Sequence, residues 1–180
     1  MADLTIKLWL RAINPVATPR GMAEAQRSAR AMVVGLGLSW FAALPTTIWM
    51  FQSDIFQTLM EDQYASMGLS ASDIAIQEAI MGASMPFLII FSPVISAAVY
   101  VGLSIVQWRY MTRMIPIVML GFFLFGAVSE IGEAILGTVP PVVLPMWALL
   151  SSWIPATIAA IIYAAALQGG IMLHRMKGGR

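Results

Sequence analysis

Four long stretches of the chain carry no charge, and short polar segments of one sign or the other separate them. Ala31–Phe51 is the first, Pro86–Gln107 the second (22 residues), Met114–Ser129 the third and Pro141–Leu173 the fourth. A hydrocarbon layer about 30 Å thick needs about 20 apolar residues in helical form, so each stretch predicts a membrane span. The spans are placed at 31–51, 86–107, 114–135 and 144–172. The fold expected is all-α, a polytopic membrane helical bundle of about four transmembrane helices with an interfacial N-terminal helix. The organising feature is the hairpin Pro86–Ile135, whose hinge reads Gln107-Trp108-Arg109-Tyr110-Met111-Thr112-Arg113. Two arginines beside Trp108 and Tyr110 are a turn at the headgroup level.

The polar segments have their own patterns. In residues 1–13, Leu4, Leu8, Trp9 and Ile13 share one side of a helix and Lys7 and Arg11 another, as an interfacial helix requires. Leu4-Ile6-Leu8-Leu10 also alternates as a strand does. Asn14-Pro15 breaks the element, and Thr18-Pro19 reads as the N-cap and first position of a new helix. Between the first two spans, residues 52–84 form an outer amphipathic segment. Ser53 caps one helix stopped at Gly68, and Ser70-x-x-Asp73 starts another that leads to Pro86. It reads either as a partner-binding lid or as a connector resting on the outer leaflet. The last run exceeds what one span needs, so it tilts, kinks at Pro155, begins near Leu144 or breaks into two re-entrant halves.

Composition adds that 59% of the 180 residues are hydrophobic and 11% charged, too apolar for an ordinary soluble domain. Charge adds direction. With four spans, all ten Lys and Arg fall on one face together with Asp3 and Glu24, giving +8, and the other seven acids give −7 on the opposite face. The positive-inside rule makes the basic face cytoplasmic, with both termini there. The organisation expected is a basic interfacial segment 1–30, a transmembrane domain 31–174 and a basic tail 175–180. No cleavable signal peptide is read at the N-terminus. The location expected is the bacterial inner membrane. The basic, acid-poor first 30 residues keep a mitochondrial inner membrane as the alternative.

Little chemistry is visible in this pattern. The chain has no cysteine and one histidine, His174, a membrane thickness away from the outer glutamates, so no metal or other cofactor is expected. No Gly-x-Ser-x-Gly elbow, Ser-Lys pair or phosphate loop appears, and Gly35-x-Gly37 lacks the third glycine of a dinucleotide fingerprint. Glu130 and Glu133, spaced i, i+3 near the outer end of the third span, are the candidate cation or proton site. They also lie close enough to the headgroups to be interfacial anchors. Arg20, Arg27, Arg30, Arg109 and Arg113 are candidate lipid-headgroup contacts, and nucleic acid is not an expected partner. Small residues four apart let helix backbones approach, which makes Ala98 and Gly102, and then Ala156, Ala160 and Ala164, candidate helix-packing faces.

A basic pre-membrane segment with Pro19-Arg20, the stretch Ala25-Gln26-Arg27-Ser28-Ala29-Arg30 entering the first span, and Phe41-Ala42-Ala43-Leu44-Pro45 closing it give a recognisable layout. With its polar outer stretch and short basic C-terminus, the chain resembles bacterial proteins of the Yip1 family. That resemblance implies an integral membrane protein. Eukaryotic members are similar to organisers of membrane traffic that bind small GTPases, and no site residues carry over. The function expected is a non-enzymatic membrane scaffold or accessory subunit that binds lipids, other membrane proteins or further copies of itself. The alternative is a small transporter or channel subunit working through Glu130 and Glu133.

Overall fold

A computed structural model describes residues 2–52, 67, 68, 70–136 and 145–178. Those residues form five helices: α1 (Ala2–Ala12), α2 (Met22–Gln52), α3 (Ala71–Tyr110), α4 (Met114–Leu136) and α5 (Met146–Gly178). Four of them, α2 to α5, are long and apolar enough to cross a membrane, and α1 is the short N-terminal helix. The expected all-helical fold of an integral membrane protein is the observed one. The helix expected over 53–66 lies outside the described residues.

Local chemistry explains where the helices start and stop. Thr18-Pro19 does not open α2. The first helical residue is Met22, and the Gly21 carbonyl accepts the Ala25 amide at 3.0 Å. The Glu24 carboxylate reaches back to the Arg20 amide at 2.7 Å, so the chain before Gly21 is held by a side chain rather than by helical bonds. Ser70 caps α3 as its sequence suggests, with Oγ accepting the Asp73 amide. The connector helix and the second span are then one helix. The 40 residues of α3 run through Pro86 and Pro93 without interruption. It ends at Met111, whose backbone is left-handed (φ 48°, ψ 44°) and whose amide returns to the Gln107 carbonyl. Thr112 Oγ1 accepts the Met114 amide and starts α4. Likewise α5 is a single helix of 33 residues through Pro155, about 50 Å long at 1.5 Å per residue, with no re-entrant break. The expected boundaries at 31 and 174 fall inside α2 and α5.

The core lies between α2 and α5, which run antiparallel along most of their length. Small residues allow it. A Cβ at Gly169 would lie 2.7 Å from the Ala25 carbonyl oxygen and 2.8 Å from the Ala29 nitrogen. Further along, a Cβ at Gly35 would lie 2.8 Å from the ring of Tyr163. Met32, Leu36, Ala159, Tyr163 and Ala166 fill the space between these contacts. Hydroxyl pairs tie the same seam, Ser39 to Tyr163 at 2.6 Å and Thr46 to Ser152 at 2.7 Å. The other two helices pack from outside, α3 against α2 and α4 against α5. Trp40 Nε1 donates to the Pro93 carbonyl and Ser96 Oγ, and Phe123 meets Trp153 edge to face at 6.4 Å. Of the apolar strip expected on α1, Leu8, Trp9 and Ile13 are half-buried and the side chain of Leu4 lies outside the described residues; Ala12, beside them, is buried, while Ile6 and Leu10 stay exposed.

Candidate functional site

The antiparallel order gathers the described basic groups at one end of the bundle. There the start of α2 meets the end of α3, the start of α4 and the end of α5. Arg30 lies over the Trp108 ring, 5.1 Å from its centroid, and Arg109 follows on α3. The backbone of Arg113 abuts α5, where a Cβ at Gly170 would lie 3.3 Å from its Cα. Arg11 pairs with Glu24 at 3.8 Å. Arg20, Arg109 and Arg113 are exposed, and Arg27 and Arg30 are half-buried. His174 is exposed near the end of α5.

Beneath this basic rim sit two glutamines. Gln107 is fully buried, and its Nε2 donates to the Ala29 carbonyl at 2.9 Å. Gln168 donates to the Pro15 carbonyl, which fastens α5 to the α1–α2 connection. Their Oε1 atoms and Arg30 Nε are buried without a hydrogen-bond partner. Each such group costs about 1–3 kcal/mol, so this end of the bundle carries polar atoms at a disadvantage. In the sequence Gln107 stands where the second span meets the hinge, with nothing to mark it as buried, and Gln168 falls within the last apolar run. The signal for the latter is Gln168-Gly169-Gly170 interrupting an otherwise apolar run.

Between α2 and α3 lies an apolar groove of about 560 Å³. From α2 it takes Val33, Gly37 and Trp40, one face at i, i+4, i+7. From α3 it takes a matching stripe that runs from Ala97 to Arg109. A Cβ on Gly37 would meet nothing within 4 Å, so the missing side chain is part of the groove's width.

At the opposite end, Glu130 is exposed on α4 between Val128 and Ile131, which are themselves exposed. The side chain of Glu133 falls outside the described residues. Among the described residues no group of three or more His, Cys, Asp or Glu stands together as a metal site. The packing residues are also redistributed. Ala98 and Gly102 are exposed, and a Cβ on Gly102 would meet nothing within 4 Å, so the close approach expected there is not made among the described residues. Spacing marks small residues but not whether they are covered, and this pair is exposed. On α5, Ala156, Ala160 and Ala164 are half-buried, while the fully buried stripe is Ala159, Ala166 and Gly169. Set against known proteins, the chain matches no family model, no curated protein and no solved structure.

Proposed function

We propose that this protein is an integral membrane scaffold or accessory subunit that binds lipids and other membrane proteins and carries out no catalysis. Its basic end faces the cytoplasm, with both termini there. The observation that supports this reading is the uncovered state of the two outer helices. In the most apolar stretch of α3 and in that of α4, 6% of residues are buried within the chain. Helices of that kind are partnered by lipid or by other helices, and α4 presents Phe122, Phe125 and Val128 along one such face. The charge pattern supports the orientation through the positive-inside rule. A Yip1-like layout agrees with a non-catalytic membrane role.

Photo-crosslinking residues in native membranes test the reading. Placed at Phe125 (74% exposed) and Val128 (68% exposed), they are expected to yield the same discrete protein adduct, and at Ala159 (0% exposed) none. Absence of any protein adduct from the α4 positions at native expression would sink the scaffold. Because the chain has no cysteine, single cysteines at Met67 and Met111 report orientation cleanly, with Met111 labelled only from the cytoplasmic side.

A further inference from the structure

We propose that the groove between α2 and α3 holds one acyl chain of an anionic phospholipid, with its phosphate on the Arg109 guanidinium. The proposal rests on the membrane reading above and specifies a lipid site within it.

Length is the first argument. From Ala97 to Arg109 the groove follows α3 for twelve steps of about 1.5 Å, about 18 Å in all. Half of a hydrocarbon layer about 30 Å thick is about 15 Å, so the groove is as long as one leaflet. It also stops where one leaflet stops. Trp40 lies ten residues beyond Arg30, about 15 Å deep, and its indole is tied across to Pro93 and Ser96 on α3. A spanning helix from another protein would continue past that closure and find half of its length without a groove.

Charge is the second argument. The wall is apolar along its length, and the one charged side chain in it, Arg109, sits at the mouth. Trp108 shares the mouth, and Arg30 over its ring brings a second positive charge to the same place. Among the described residues no carboxylate lies within ion-pair distance of Arg109 or Arg30. The C-terminal end of α3 itself opposes an anion with roughly half a negative charge, which two guanidinium groups exceed. An anionic headgroup with its chain in the groove satisfies both ends at once. A zwitterionic lipid satisfies only the apolar part.

Full-length protein in phosphatidylcholine vesicles, labelled in parallel with phosphatidylglycerol or phosphatidylcholine bearing a photoactivatable group at mid-chain, tests the site. Adducts are expected on 33–40 and 97–105 with phosphatidylglycerol preferred, and on α4 without headgroup preference. Arg109→Gln is expected to lower the preference in the groove roughly five-fold, the contribution of one basic residue near the surface. A Cβ on Gly37 meets nothing within 4 Å, so Gly37→Leu starts its side chain into the groove and should abolish the groove adducts and leave those on α4. Ala97→Leu, from the facing wall, should do the same. Groove labelling that survives both Leu variants, or that shows no more headgroup preference than α4, overturns the proposal. So does a protein adduct formed from a photo-crosslinking residue at Val101 that Gly37→Leu removes, because a partner helix would then be the occupant. Loss of the lipid site with the Phe125 and Val128 protein adducts intact separates this proposal from the scaffold reading.

Discussion

The inner pair, α2 and α5, and the outer pair, α3 and α4, have comparable apolar character but opposite fates. Half of the residues in the most apolar stretch of α5 and 28% of those in α2 are buried, against 6% in each outer helix. Hydrophobicity does not explain this, because α4 is the most apolar of the five and among the least buried. In lipid, an apolar side chain gains little by leaving lipid for protein, so burial follows shape rather than oiliness. Where Gly35, Gly169, Ala25 and Ala29 thin the helices, backbones meet. Where Phe122, Leu124 and Phe125 thicken α4, the surface stays open.

A single added methyl group has the largest effect on that contrast. Gly169→Ala places a carbon against the Ala25 carbonyl and the Ala29 amide, and neither backbone atom can yield without separating α2 from α5. We expect a loss of about 3 kcal/mol in reversible unfolding from detergent, the upper part of the range for overpacking. Gly126→Ala on α4 meets nothing within 4 Å and should be neutral or stabilise by up to about 1 kcal/mol through helix propensity. Equal effects of the two would mean that α2 and α5 are not the core.

The contrast also shows what the sequence made legible. Membrane spans are a matter of length and missing charge, so all four are directly readable, and the segregation of arginines and lysines from all carboxylates but Asp3 and Glu24 sets one end apart from the other. Which face of each span packs was only half readable. Ala156, Ala160 and Ala164 mark the right helix but lie beside the buried stripe through Ala159 and Ala166. Ala98 and Gly102 have the right spacing but stand exposed among the described residues. Gly35 stands out in the sequence only in an incomplete dinucleotide fingerprint, because its close approach to Tyr163 depends on a residue far away in sequence. Gln107 looked like hinge because polar residues near arginines usually are. It is buried because Ala29, also remote, offers a carbonyl to it. Helix continuity through Pro86 was missed for a local reason: a proline removes one helical bond, and a long helix tolerates that loss.

A smaller effect tests the polar part of the inner seam. Tyr163→Phe removes the hydroxyl that meets Ser39 at 2.6 Å while keeping the ring against Gly35. Interhelical hydrogen bonds in membranes average about 0.6 kcal/mol, and the freed Ser39 hydroxyl can turn to a carbonyl of its own helix. The expected loss is therefore about 0.6 kcal/mol, well below that of Gly169→Ala. A loss as large as the glycine variant's would mean that hydrogen bonding, not close approach, holds the pair together.

At the joint between outer and inner helices two terms oppose and nearly cancel. Met111 takes a left-handed backbone, which costs a residue with a Cβ about 1–2 kcal/mol. Its side chain packs, half-buried, against Ala25, Ala29 and Leu173, and deleting it loses a comparable amount. Met111→Gly relieves the first term and forfeits the second, so its stability should stay within about 1 kcal/mol of the native chain. Met111→Ala forfeits the packing and keeps the strain. Glycine should thus exceed alanine at this position by about 1 kcal/mol, the reverse of the order within a helix. That inversion is specific to the turn that ends α3. An alanine variant as stable as the glycine variant would mean that Met111 does not hold the left-handed cap.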